Sequence, residues 1–278
     1  MTGAPDVARL FPAGTAVSRL AVYDWPGPGG VPGGSAHVHL ACTEGYVVLA
    51  GRGVLQTLGP DGYAETPLAP MTVAWFSPGV IHRLVNEGGL QILVVMQNAG
   101  LPEAGDCVLT FPPGLLADPG AYHAAATLPD PVVHDDADGT GADGAGGSGA
   151  GGTGADGTGA DGAAAARRRK DLAVEGFLRL RELVERNGPE ALEEFYAAAA
   201  ALVRPGLPAW RERWSAGPLA AALATGEHLD QLGGGRHDHL RQGRLTVLGP
   251  PADRRYGNCG RLDAYPPYPP GAARPEAP

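Results

Sequence analysis

Through roughly the first 112 residues, apolar and polar positions alternate with a period of two, in short runs each closed by glycine or proline. Val17, Arg19, Ala21, Tyr23 and Trp25 share one parity, and Leu20 and Val22 the other. That predicts a first strand over residues 17–25, ended by the glycine- and proline-rich loop 26–30. Strands follow at 37–39, 44–50 and 54–58, and the turn Gly59-Pro60-Asp61-Gly62 returns the chain through 63–67. Further runs at 71–76, 82–86 and 90–97 complete eight short strands, the pattern of a closed β-barrel or jelly roll, and 109–111 reads as a last strand that closes the sheet. Residues 115–127, opened by Asp118-Pro119, read as a short helix packed outside it.

Beyond residue 134 the pattern changes. Gly-Thr-Gly-Ala-Asp-Gly recurs in full or near-full copies, and such a segment cannot bury enough apolar area to offset its ordering entropy. Residues 135–165 are therefore expected to be a flexible acidic linker. Helical spacing appears after it: Leu172, Phe177, Leu180, Leu183 and Val184 share a face, and Asn187-Gly188-Pro189 separates that helix from a second one. Three regions result: a β domain with its flanking helix at 1–134, the linker, and a small helical region with a proline-rich tail at 166–278. Within the last, Trp210 and Trp214 are expected in a core or interface, residues 244–248 as an extra strand, and His237-Asp238-His239 as a polar loop.

Composition adds limits. The chain has 278 residues with 44 Gly and 27 Pro, and a formal charge of -9. Residues 1–165 hold 4 Lys and Arg against 16 Asp and Glu, which disfavours nucleic acid as a partner. The Arg167-Arg168-Arg169-Lys170 run reads as a solvated junction. Cys42, Cys107 and Cys259 form no paired spacing, which suits a reducing compartment. With neither a signal-peptide pattern nor an apolar run of membrane length, a cytoplasmic protein without a membrane partner is expected.

The chemistry gathers between residues 34 and 86. On a strand His37 and His39 project to one side, and a turn through Ala41-Cys42-Thr43 would bring Glu44 back to them. His82 arrives from a later strand after the Pro78-Gly79 turn. Three imidazoles and a carboxylate make a mixed nitrogen and oxygen donor set, suited to a divalent transition metal with open positions. Tyr46, on the same side as Glu44, is the candidate catalytic residue, as a hydrogen-bond donor to bound substrate.

The pattern G-x2-H-x-H-x4-E-x6-G, followed by P-G-x2-H-x3-N, resembles the two motifs of the cupin superfamily, from Gly34 to Gly51 and from Pro78 to Asn86. The leading glycine, Gly34 or Gly33, sits nearer the histidines than the family pattern has it. The resemblance spans roughly residues 15–112. It implies an all-β cupin jelly-roll barrel, a metal (Fe, Mn, Zn or Ni) held by His37, His39, Glu44 and His82, and a homodimer. Activity is left open by a superfamily with many reactions. A metal-dependent enzyme on a small oxygenated molecule, of isomerase, epimerase or dioxygenase type, stands beside a non-catalytic binding or sensing cupin. The helices after residue 166 lack the basic face of a DNA-reading motif, which weakens a transcriptional sensor.

Overall fold

The computed structural model describes residues 10–129, 131–133 and 158–266. The extreme N-terminus, most of the expected linker and all but the start of the proline-rich tail lie outside the described residues.

Among the described residues nine strands form one antiparallel sheet: β1 (Ala16–Val22), β2 (His37–His39), β3 (Glu44–Gly59), β4 (Gly62–Leu68), β5 (Val73–Phe76), β6 (Ile81–Met96), β7 (Cys107–Leu109), β8 (Arg255–Tyr256) and β9 (Gly260–Ala264). The main path runs β4-β3-β6-β1-β9-β8; β5 pairs with β3, β2 with β6, and β7 with β2. Among the described residues this path does not close on itself, so the jelly-roll barrel of the sequence reading is observed as a large antiparallel sheet.

Strands read as separate pairs, at 44–50 with 54–58 and at 82–86 with 90–97, are continuous. The long ladder between β3 and β6 shifts register around residues 48–53 instead of breaking. Gly51 sits at the irregularity with φ 74°, and a Cβ there would lie 2.2 Å from the Gly89 carbonyl oxygen. Asn86, the last motif residue, holds the same bend: its amide donates to the Val22 carbonyl while its oxygen accepts from the Gly88 and Leu90 N–H groups.

Helices α1 (Pro113–Leu116) and α2 (Pro119–Ala126) follow the sheet, the second capped by the Asp118 carboxylate. Then come α3 (Thr158–Asn187), α4 (Glu193–Val203), α5 (Leu207–Trp214) and α6 (Ala220–Gly233). The first of these begins eight residues before the expected end of the linker. Alanines 163–166 favour a helix, and Ala163 and Ala166 are buried with Tyr23, Trp25 and Tyr256.

Two apolar layers sandwich the site-bearing strands. Inside the curve of the sheet, Leu20, Tyr46, Val48, Ile92, Val94 and Met96 pack together. On its outer face, Val38, Leu58 and Ile81 meet Ala173, Phe177, Leu192 and Phe195 of the helical region. Alternation along β2 thus buries Val38 under helices while the flanking histidines point to the inner face.

Three expectations are corrected. The C-terminal third is not helical throughout: β9 pairs along β1 from Ser18 to Val22 and carries β8 with it, a return that only long-range pairing specifies. Residues 244–248 form no strand, and Leu245 and Val247 stand exposed. The basic run at 167–170 is not uniformly solvated. Lys170, 1 % exposed, donates to the Trp25 and Pro26 carbonyls, and Arg169 donates to the Gly257 carbonyl.

Candidate metal centre

Each of the four motif side chains is delivered by a different local device. His37 pairs with His82 across the β2–β6 ladder, so those two rings are direct cross-strand neighbours. Gly79, at φ 93° in the Pro78-Gly79 turn, donates its N–H to the His39 carbonyl and so ties the start of β6 to β2. Glu44 opens β3 after the turn through Ala41 and Cys42. The result is a group in which one donor atom from each of His37, His39, Glu44 and His82 lies within 4.8 Å of the others. None of the four residues is more than 6 % exposed.

The outward nitrogens are all occupied. His37 Nδ1 lies 3.2 Å from the Ser35 carbonyl oxygen, and His82 Nδ1 lies 3.1 Å from that of Val80. A carbonyl only accepts, so each Nδ1 carries the proton and each Nε2 lone pair points into the site. His39 Nδ1 meets Asp106 Oδ2 at 3.1 Å, while Asp106 Oδ1 accepts from the Leu40 and Ala41 N–H groups.

Inside the group, the Nε2 atoms of His37 and His82 are 3.1 Å apart. Glu44 Oε2 lies 3.0 Å from His82 Nε2 and 3.3 Å from His39 Nε2. Yet this buried carboxylate oxygen has no aligned hydrogen-bond partner. Two lone pairs facing at that distance, beside an orphaned anionic oxygen, are what a cation between them would resolve. The donor set therefore fits a divalent transition metal. The four side chains of the cupin-like motifs thus converge on one point.

The electrostatics agree. Burial and the neighbouring imidazoles His82 and His39 hold His37 well below the ordinary histidine range. Burial alone would lower His39 too, but the adjacent carboxylates of Asp106 and Glu44 outweigh it and push it up to about 9. Burial opposes ionisation of Glu44, yet His39 and His82 hold its carboxyl well below the usual range. Without an ion, the group thus stores one proton on His39. Because a metal must displace that proton, affinity is expected to rise about tenfold per pH unit up to roughly pH 9 and then level off, measured by chelator competition. The metal-free protein carries the opposite dependence. A raised His39 stabilises the fold fully below the ordinary value of 6.5, and that contribution disappears as pH rises through about 9.

Tyr46 follows Glu44 on the same face, 1 % exposed, with its hydroxyl unpartnered. Burial, then the Glu44 charge, pushes its phenol well above the usual range, so it stays a proton donor. Asp106 and Cys259 were not legible as site residues. Asp106 is a lone acid before a short strand, 67 residues from the histidine it holds, and Cys259 Sγ reaches within 3.8 Å of His37 Nδ1 from the far end of the chain. His237 and His239 join no metal group among the described residues; His239 stacks on His228 in a polar turn.

No family model matches the chain, and no curated protein does. Similar solved structures include Pac13, described as a nucleoside dehydratase, at 13% identity, covering 30% of this chain and 58% of that one with a TM-score of 0.24. A predicted oxalate decarboxylase from Thermotoga maritima is 24% identical, over 30% of this chain and 64% of that one, at 0.23. A double-stranded β-helix protein from Klebsiella pneumoniae is 20% identical, over 30% and 62%, at 0.22. The chain thus spans about three fifths of the length of these structures, and likenesses this low assign it no activity.

Proposed function

We propose that this protein is a metal-dependent cupin enzyme acting on a small oxygenated molecule, by isomerase, epimerase or dioxygenase chemistry. The observation that carries the reading is the inward convergence of three imidazole Nε2 atoms on a buried carboxylate. His37, His39, Glu44 and His82 would hold the ion, which when bound supplies Lewis acidity toward a carbonyl or hydroxyl oxygen, or oxygen activation if redox-active. The chain itself contributes orientation and exclusion of water. The Ser35 and Val80 carbonyls and the Asp106 carboxylate fix the three imidazoles, as partners behind metal ligands do. Phe76, packed 4.2 Å from the His82 ring, keeps that side of the site dry. Tyr46 would donate a hydrogen bond to the ligand.

Elemental analysis of protein purified without added metal tests this, with close to one transition ion per chain expected. Iron with oxygen uptake would select the dioxygenase; zinc or manganese without it would select the isomerase or epimerase. A second reading, a binding cupin without turnover, is favoured by how little of the ligand set reaches solvent. Stoichiometric metal with ligand binding but no product would select it.

The homodimer belongs to the same proposal and is supported by an apolar strip on the outside of β3 and β5. Leu49, Met71, Val73 and Trp75 are 47, 80, 58 and 73 % exposed there, and Val73 lies opposite Val47 in register. Trp75→Lys is expected to shift the molar mass in light scattering from two chains to one without altering metal content.

A further inference from the structure

The Pro78-Gly79 turn that aims His82 is a weak device by itself. Ser77 and Pro78 are exposed, and the turn's own bond, from the Val80 N–H to the Ser77 carbonyl, is long at 3.4 Å. Yet the Val80 carbonyl must stay in place, because it accepts the Nδ1 proton that turns His82 Nε2 into the site. Among the described residues two further bonds hold the turn, both at Gly79. Its N–H donates to the His39 carbonyl at 2.9 Å, and its carbonyl accepts from the Tyr196 hydroxyl at 2.9 Å. The second of these comes from α4, 117 residues along the chain.

Tyr196 is placed for this by its helix. Phe195, Ala199 and Leu202 are buried along one face of α4 and fix its rotation against the outer face of the sheet. Tyr196 flanks that face, half-buried, with its ring in the apolar layer and its hydroxyl on the turn. The Gly79 carbonyl and the Val80 N–H share one planar peptide, so fixing the first fixes the second. Only the two backbone dihedrals of Val80 then separate the tether from the carbonyl that orients His82. The helices reach the partner strand as well. The Thr110 hydroxyl donates to the Ala173 carbonyl of α3 at 2.7 Å, and the Thr110 N–H donates to the carbonyl of Ala36, which precedes His37.

We propose that α4 is a clamp on the metal centre, with Tyr196 as a positioning residue for His82, so that docking of the helical region and metal binding favour one another. This rests on the metal reading above. The coupling is reciprocal: the grip of α4 on the turn holds His82 Nε2 ready for the ion, and a bound ion holds turn and helix together by the same factor. A region that supplies no donor atom to the group thereby gains a part in it.

Tyr196→Phe tests it, since only the hydroxyl is removed and the ring packing is kept. In the metal-free protein the ring Nδ1–H signal of His82 in nitrogen-edited NMR is expected to move, while that of His37, held by the Ser35 carbonyl, stays. Zinc affinity, measured by chelator competition, is expected to fall about threefold to tenfold, the worth of one neutral hydrogen bond. Tyr63→Phe is the control. Its hydroxyl bonds the Glu65 carboxylate in the same packed layer without reaching the turn, so both readouts should match the wild type. A His82 signal and a zinc affinity unchanged in Tyr196→Phe overturn the clamp, as do equal changes in Tyr63→Phe. A wild type that binds no zinc overturns the metal reading instead, and the His82 signal then still decides whether Tyr196 holds the ring.

Discussion

His82→Ala is expected to lose metal affinity by more than 100-fold, measured by chelator competition, because it removes the nitrogen that lies 3.1 Å from His37 Nε2 and 3.0 Å from Glu44 Oε2. Glu44→Gln should do likewise at constant shape, by removing the only carboxylate in the group. The two fail differently without metal. His82 is fully buried, so its loss leaves a cavity beside Phe76, whereas the amide of Glu44→Gln keeps the volume filled. Asp106→Asn is the graded comparison. Its amide oxygen can still accept from the Leu40 and Ala41 N–H groups, but its NH2 would then confront the His39 Nδ1 proton. The imidazole is driven to the other tautomer, and the expected loss is about 10–100-fold, the usual range for a partner behind a metal ligand. Metal that raises the Tm of the wild type should leave that of His82→Ala unmoved, since only a bound ion stabilises the folded state. Full occupancy in His82→Ala or Glu44→Gln would remove that residue from the ligand set.

The largest effect on stability is expected at a residue with no chemistry. Gly176 lies where α3 crosses the end of β7, and a Cβ there would stand 1.6 Å from the Thr110 carbonyl oxygen. On propensity alone, Gly176→Ala should stabilise a helix by about 1 kcal/mol. The contact reverses the sign. Thr110 is held by its hydroxyl to the Ala36 and Ala173 carbonyls and by its N–H to Ala36, so the oxygen cannot retreat without breaking those bonds. The helix must move instead, opening the layer in which Ala173 and Phe177 are fully buried. A loss of about 3 kcal/mol is expected, the upper part of the range for overpacked cores, read from urea unfolding of the metal-free protein. Gly226→Ala in α6 is the control. A Cβ there meets nothing within 4 Å, so the propensity gain should survive and raise stability by up to about 1 kcal/mol. Equal shifts at both positions would mean that α3 does not press on β7.

These two predictions draw on different kinds of information. The clustering of the four motif side chains was legible because its determinants are local. The i, i+2 spacing of His37 and His39 needs only strand alternation, and Pro78-Gly79 needs only turn chemistry to aim His82. Strand order and the joining of 44–50 to 54–58 in one strand were not legible. A glycine at an irregularity and a glycine at a turn look alike until its neighbour, here Gly89, is known. The buried Lys170 was misread for the same reason: its partners are carbonyls about 145 residues earlier, and a carbonyl has no side-chain signature.

By itself, then, the sequence determined which four side chains converge, the β character of the first 112 residues and the helices of α3 and α4. Each is set by periodicity or by residue type at short range. Tertiary structure alone decided that Asp106 orients His39, that Cys259 and β9 return to the sheet, and that α4 and α5 pack across β7 around a cavity. Those arrangements depend on which distant segments share a buried surface. That is settled by the packing of whole faces, and no short stretch of chain encodes it.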